Sequence, residues 1–133
     1  MQLLATTTDV LRVVTDVAVN VDVFASYVDK NGSTFTPGNQ ATAITTATTT
    51  TVTSAPAAST YRALQALSIR NKDLATNVTV TVQYYNGTTA YEIISELLTP
   101  GTELHYEDES GWKLKSKNSL NFKPLLFSPI FRM

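Results

Sequence analysis

Apolar and polar residues alternate with a period of two along most of this chain. Val17, Val19, Val21 and Val23 are interleaved with Ala18, Asn20, Asp22 and Phe24. Such alternation puts the four valines on one side of a pleated strand, which the pattern extends to about Val28. A short apolar run, Val10–Thr15, precedes it as a strand of its own. Asn31-Gly32 follows, and both residue types accept positive φ, so a tight turn is predicted there. Residues 33–42, with Pro37-Gly38, read as a loop. The threonine-rich stretch Thr42–Thr53 reads as one long strand ended by Ser54–Ser59.

Beyond it, Thr60–Arg70 interleaves Tyr61, Ala63, Gln65, Leu67 and Ile69 with Arg62, Leu64, Ala66 and Ser68. The Ala, Leu, Gln and Arg content of Tyr61–Leu67 also suits a helix. Strand is preferred because both flanks are strongly β. Val78, Val80 and Val82 alternate with Thr79, Thr81 and Gln83, and Asn86-Gly87 then closes a hairpin onto Thr88–Leu98. Thr99-Pro100-Gly101 is a turn. Leu104–Glu107 and Trp112–Lys115 are short strands around the turn Asp108–Gly111. About eight antiparallel strands at this spacing predict an all-β domain, a β-sandwich or barrel, over residues 1–115.

Residues 116–133 differ. Leu120, Phe122, Leu125, Leu126, Phe127, Ile130 and Phe131 are broken by Pro124 and Pro129, which forbid a regular helix and disfavour a central strand. An extended C-terminal arm is predicted, packed either on its own domain or on a neighbouring subunit. Charge divides at the same place. Residues 1–109 carry −6, residues 110–133 carry +5, and the whole chain −1.

Composition narrows the functional classes. At 133 residues, 43% hydrophobic and 16% charged, the chain is too apolar for intrinsic disorder. Cysteine is absent, which removes disulfide scaffolds and thiol chemistry. The near-zero charge offers nothing general to nucleic acid or to an anionic membrane. Residues 1–11 lack the basic start and apolar run of an export leader, and no stretch reaches the length of a membrane span. The 22 threonines are stiff at χ1 and suit the wet side of a strand without adding charge.

Candidate chemistry is sparse. His105, the single histidine, lies between Leu104 and Tyr106 with Glu103 and Glu107 two positions away on its own face. Acid-flanked strand histidines are ordinarily surface residues, so no catalytic residue is assigned. Glu103, Glu107, Asp108 and Glu109 lack the spacing and central glycine of a calcium loop, so no metal is assigned either. No glycine-rich phosphate loop occurs, and no cofactor is expected. Trp112 with Tyr84, Tyr85, Tyr91 and Tyr106 would make a sugar-stacking platform if exposed together. A tryptophan in a small sandwich more often serves core or interface.

The central region carries, in order, Thr49-Thr50-Thr51-Val52-Thr53-Ser54-Ala55-Pro56-Ala57-Ala58-Ser59-Thr60 and Leu67-Ser68-Ile69-Arg70-Asn71-Lys72. Asn77-Val78-Thr79-Val80-Thr81-Val82-Gln83, Leu98-Thr99-Pro100-Gly101-Thr102-Glu103-Leu104 and Gly111-Trp112 follow. In these pieces and their order the chain resembles a group of small virion structural proteins of tailed bacteriophages. About residues 42–115 are covered, with a looser likeness over residues 17–37. The resemblance implies a β-sandwich, jelly-roll-like, bound at the virion capsid surface. Its first implied role is a capsid decoration or cement protein, a homotrimer seated on the major capsid protein. A tail, neck or fibre component is the alternative, and a carbohydrate-binding host-attachment module is the competing class. Candidate interface residues are Leu3, Leu4, Trp112, Phe122, Leu125, Leu126, Phe127, Ile130 and Phe131.

Overall fold

Strands with one apolar face can hide it only against another such face, and this chain makes two sheets that do so. A computed structural model describes residues 2–116. Ten strands run through them: β1 (Gln2–Leu4), β2 (Val10–Thr15), β3 (Val21–Asn31), β4 (Thr34–Ile44) and β5 (Thr49–Thr53), then β6 (Tyr61–Asn71), β7 (Val78–Tyr85), β8 (Ala90–Leu98), β9 (Glu103–Glu107) and β10 (Gly111–Lys115). The first sheet has the order β10-β9-β6-β3-β4, and the second β5-β2-β7-β8. β1 pairs with Arg62–Leu64 of β6 and β9 with Ala66–Arg70, so the two lie end to end along one side of that strand. Every pairing is antiparallel, and the fold is an all-β sandwich.

The core is the alternation made physical. Val21, Val23, Leu64, Leu67, Ile69 and Leu104 of the first sheet meet Leu11, Val13, Val52, Val78, Val80 and Val82 of the second, each at most 2% exposed. Removing each such side chain from water contributes about 1.5–3 kcal/mol toward folding. The hairpin β7–β8 forms about Asn86-Gly87, but Tyr85 pairs with Ala90, so Thr88 and Thr89 belong to a four-residue turn and not to the strand. Asn86 Oδ1 accepts from the N–H groups of Thr88 and Thr89 at 2.9 and 2.8 Å, and Gly87 takes φ +96°. Thr60–Arg70 is strand and not helix, since β6 spans Tyr61–Asn71.

Four further expectations need correction. Val17 does not join the valine strand: β3 begins at Val21, and Val17 is 36% exposed in a bend. Those residues carry the chain from the second sheet to the first, and Asp16 secures the crossing by accepting from the Thr79 N–H at 2.8 Å. The tight turn sits one residue later than expected. Asn31 pairs with Thr34, which leaves Gly32-Ser33 as the two turn residues, and of these only Gly32 has positive φ.

The predicted loop 33–42 is instead most of β4. The strand tolerates Pro37 because β4 is a sheet edge. A two-residue turn makes Asn31 and Thr34 a hydrogen-bonded pair, so Val28 and Pro37 form a non-hydrogen-bonded pair and the proline nitrogen faces outward. Gly38 is required for space, since a Cβ there would stand 2.7 Å from Cε1 of Tyr27.

Finally, the threonine tract is two strands in different sheets, β4 and β5, separated by Thr45–Thr48. Hydroxyls hold the corner. Thr15 Oγ1 donates to the Thr46 carbonyl at 2.7 Å, and the Thr48 N–H donates to Thr15 Oγ1 at 3.2 Å. Threonine competes with regular pairing in this way wherever its hydroxyl finds backbone partners. β10 ends at Lys115, and residues 117–133 of the predicted arm lie outside the described residues.

Ile69, fully buried in the second half of β6, is the sharpest probe of this core. Ile69→Ala is expected to cost about 2–5 kcal/mol in urea unfolding. Leu74→Ala, at a position 95% exposed, should change stability by less than about 0.5 kcal/mol.

Candidate interaction surface

The outer face of the first sheet carries several large apolar residues that the sandwich does not cover. Leu3 is 46%, Phe24 49%, Phe35 64% and Tyr61 53% exposed. Register places Leu3, Phe35 and Tyr61 together at one end. Lys30 of β3 lies between Phe35 of β4 and Tyr61 of β6, and Val28 between Pro37 and Ala63, with Leu3 beyond Ala63. Among them lies an apolar depression of about 400 Å³, lined by Leu3, Val28, Phe35, Tyr61 and Ala63. Lys30 is the charged group at this end, with its ammonium 5.8 Å from the Phe35 ring centroid. At the other end of the same face a depression of about 520 Å³ opens over Phe24, Ala41, Ala43 and Ser68, beside Asp22 and Arg70. Several large apolar side chains gathered on one face mark a surface for macromolecular contact.

The predicted interface residues separate on inspection. Leu3 belongs to this face. Leu4, its neighbour, is 1% exposed and sits in the core, so its side chain serves the fold and offers nothing to a partner. Trp112 is half-buried on the inward side of β10, packed against the core, with its ring centroid 4.9 Å from that of Tyr106. Phe122, Leu125, Leu126, Phe127, Ile130 and Phe131 lie outside the described residues.

The aromatic residues of the sugar-platform reading are not brought together. Tyr106 and Trp112 meet at a tilt of 46° in the first sheet, while Tyr84 and Tyr91 stack in the second at 6.1 Å. Tyr85 is covered by the Arg12 guanidinium at 3.9 Å.

His105 stands on the outer side of β9 with both ring nitrogens engaged. Nδ1 is 3.0 Å from Glu103 and Nε2 is 2.9 Å from Glu107, and the side chain is 17% exposed. Both contacts are hydrogen bonds together only when the ring carries both protons. The bond from His105, then its charge, holds the Glu107 carboxyl below the usual carboxylate range. The same-face placement of the three residues follows the alternation read from sequence. Among the described residues, no group of three or more His, Asp and Glu side chains is arranged to hold a metal ion.

Three buried polar groups were not foreseen. Arg62, 9% exposed, donates to Asp29 through Nε at 2.8 Å and Nη2 at 3.0 Å, reaches the Ser54 carbonyl at 2.8 Å, and lies 4.0 Å over the Tyr27 ring. Its pKa is raised first by the bond to Asp29. Asn71, fully buried, donates to the carbonyls of Thr76 and Leu98 at 2.9 Å each and so ties the two sheets together. Asp9, 3% exposed, accepts from the N–H groups of Ala5 and Thr6 at 2.9 and 3.2 Å. The available signal was weak: each is a polar residue at or beside an apolar run. Asp9 bonds the turn just before it, while Arg62 and Asn71 reach partners 33 and 27 positions away.

Compared with protein-family models, curated proteins and solved structures, the chain matches none.

Asp9 generates a pH dependence. Burial alone would raise its pKa, but hydrogen bonds from Ala5, Tyr84 and Thr6 together leave it below the ordinary carboxylate value. Folding therefore favours the ionised form. That stability is complete above the unfolded pKa of about 3.9 and is lost as pH falls through the lower folded value. Asp9→Asn is expected to lower stability at pH 7 by about 1–3 kcal/mol. It should also reduce the difference between urea midpoints at pH 7 and pH 3. Asp73 and Glu107, shifted in the same direction, preserve part of the acid sensitivity.

Proposed function

We propose that this protein is a bacteriophage virion structural protein, a capsid decoration or cement protein that adheres to the shell of the major capsid protein and stabilises it. The observation that carries the reading is the outer face of the first sheet, where Leu3, Phe24, Phe35 and Tyr61 stand 46–64% exposed on a sandwich whose core is already filled. Such a face is suited to being covered by other protein. The outer side of the second sheet supports the same reading in another way. Thr79 and Thr81 of β7 and Ser95 of β8 face outward there, with the Thr81 and Ser95 hydroxyls 3.0 Å apart, beside Leu97, which pairs with Thr79 and is 52% exposed.

The resemblance to small virion proteins of tailed phages adds direction. Its segments form β5 and the crossing into β6, most of β7, the turn before β9 and the start of β10. They are parts of the frame and not of a catalytic centre, so the activity proposed is adhesion. Repeated copies on a lattice multiply modest single-site affinities through effective concentration, and the summed binding resists outward pressure from packaged DNA. The carbohydrate-binding alternative asks for Trp112 exposed beside a tyrosine in a groove, and the packing of Trp112 on Tyr106 counts against it.

Purified protein added to phage heads that lack it should co-sediment saturably and raise the temperature at which they release DNA. Absence of uptake by heads would refute the proposal. Binding confined to tails, necks or fibres would replace it with the tail-component reading.

A further inference from the structure

The outward-facing residues of β3 read Asp22, Phe24, Ser26, Val28, Lys30: acid, apolar, small, apolar, base. Reversed about Ser26, the series complements itself. We propose that two copies of this chain pair through the outer faces of their first sheets. The two-fold axis would lie between the sheets, across the strands, and pass beside Ser26.

That rotation lays each row of the face on a different row of the sister copy. The row Phe35–Lys30–Tyr61 comes over Ala43–Asp22–Arg70, and the row Pro37–Val28–Ala63 over Ala41–Phe24–Ser68. Large residues meet small ones. Phe35 stands over the wide depression at Ala41 and Ala43, and Phe24 over the apolar depression at Val28 and Ala63. Each copy supplies both knobs and both hollows, which is the isologous arrangement of a closed dimer.

Along β3 and β6 charge agrees with shape. At the β9 margin the rotation brings Glu107 toward the same residue of the sister copy, each carboxylate already paired with His105 at 2.9 Å. The Lys30 ammonium approaches the Asp22 carboxylate, and the Tyr61 ring lies over the Arg70 guanidinium. Asp22 already holds Lys72 at 3.2 Å, but its side chain is 51% exposed and keeps acceptor capacity for a second cation. Packed sheets cross at about 30°, which leaves the rows nearest Ser26 in register, while Lys30 and Tyr61 are long enough to span the displacement at the ends. The 11-residue strands β3, β4 and β6, with the shorter β1 and β9 end to end in a fourth position, present roughly 20 Å by 35 Å, on the order of 700 Å² of face per copy. One partner in a stable interface of standard size buries about 800 Å².

The pairing takes up the face on which the proposed adhesion rests, so a paired protein would meet a shell through the outer faces of its two second sheets. The two proposals are tested separately: solution mass reads the pairing and uptake by heads reads the adhesion. The pairing also differs from the homotrimer that the resemblance implies, because a two-fold contact closes after two copies.

Full-length protein should sediment at twice 14.5 kDa. Phe24→Glu should be a monomer with an unchanged circular dichroism spectrum, while Leu97→Glu, on the outer side of β8, should stay dimeric. Lys30→Asp should weaken the dimer by about tenfold or more, and adding Asp22→Lys should restore it in part. The chain has no cysteine, so Ser26→Cys supplies a single thiol. Packed sheets stand about 10 Å apart, too far for a disulfide, and a bis-maleimide of that span should join two copies at Ser26→Cys but not at Thr79→Cys. A monomer, a trimer, or a dimer that cannot be joined at Ser26→Cys would overturn the proposal. Should Phe24→Glu misfold, the charge exchange and the cross-link decide alone.

Discussion

A two-layer sandwich can bury one face of each sheet and no more. Here the inward faces are satisfied by valine, leucine and isoleucine at nearly every position, so folding consumes them completely. What remains outward is set by the other parity of each strand. On the first sheet it holds Phe24, Val28, Phe35 and Tyr61 beside the charged positions of β9; on the second it holds the hydroxyls of Thr79, Thr81 and Ser95 beside Leu97. The proposed adhesive role and the proposed pairing both descend from this partition. A residue's parity on its strand decides whether it stabilises the monomer or meets something else, as the neighbours Leu3 and Leu4 show by falling on opposite sides of β1.

Polar groups inside the sandwich act as joints where strands change sheet. Asn71 sits at the end of β6 and reaches the last carbonyl of β8, so one amide couples the two layers at that edge. Arg62 does comparable work near the opposite end of the same strand by gathering Asp29, the Ser54 carbonyl and the Tyr27 ring. Such groups are costly to bury unless every polar atom is paired, and each has several partners. Their geometry depends on residues 27 to 33 positions away, and for that reason no local pattern announces them.

Much of the fold was legible because burial imposes a period of two. β2, β6, β7, β8 and the β9–β10 hairpin follow from alternation and turn chemistry. Where the reading failed, a local rule was outweighed by tertiary placement. Pro37 and Gly38 look like a loop, but an edge strand accommodates the first and the Tyr27 ring demands the second. A run of threonines looks like one strand, but hydroxyl bonds to Thr15 fold it across a corner. In β6 strict parity cannot hold, because the irregularity opposite Ser26 and Tyr27 puts both Leu64 and Leu67 inward. Of the candidate interface, Leu3 was legible from its position. Phe24, Phe35 and Tyr61 were missed because their exposure depends on which strand neighbours which.

Pro37 has a wider significance. The free margin of β4 offers hydrogen bonds to any strand that approaches, and sandwiches with such margins can polymerise by adding strands indefinitely. A proline at a position whose nitrogen points away from β3 deletes one rung of that ladder in its middle. Growth by edge recruitment is thereby discouraged, and association is channelled to broad faces, where it can terminate at a finite number of copies.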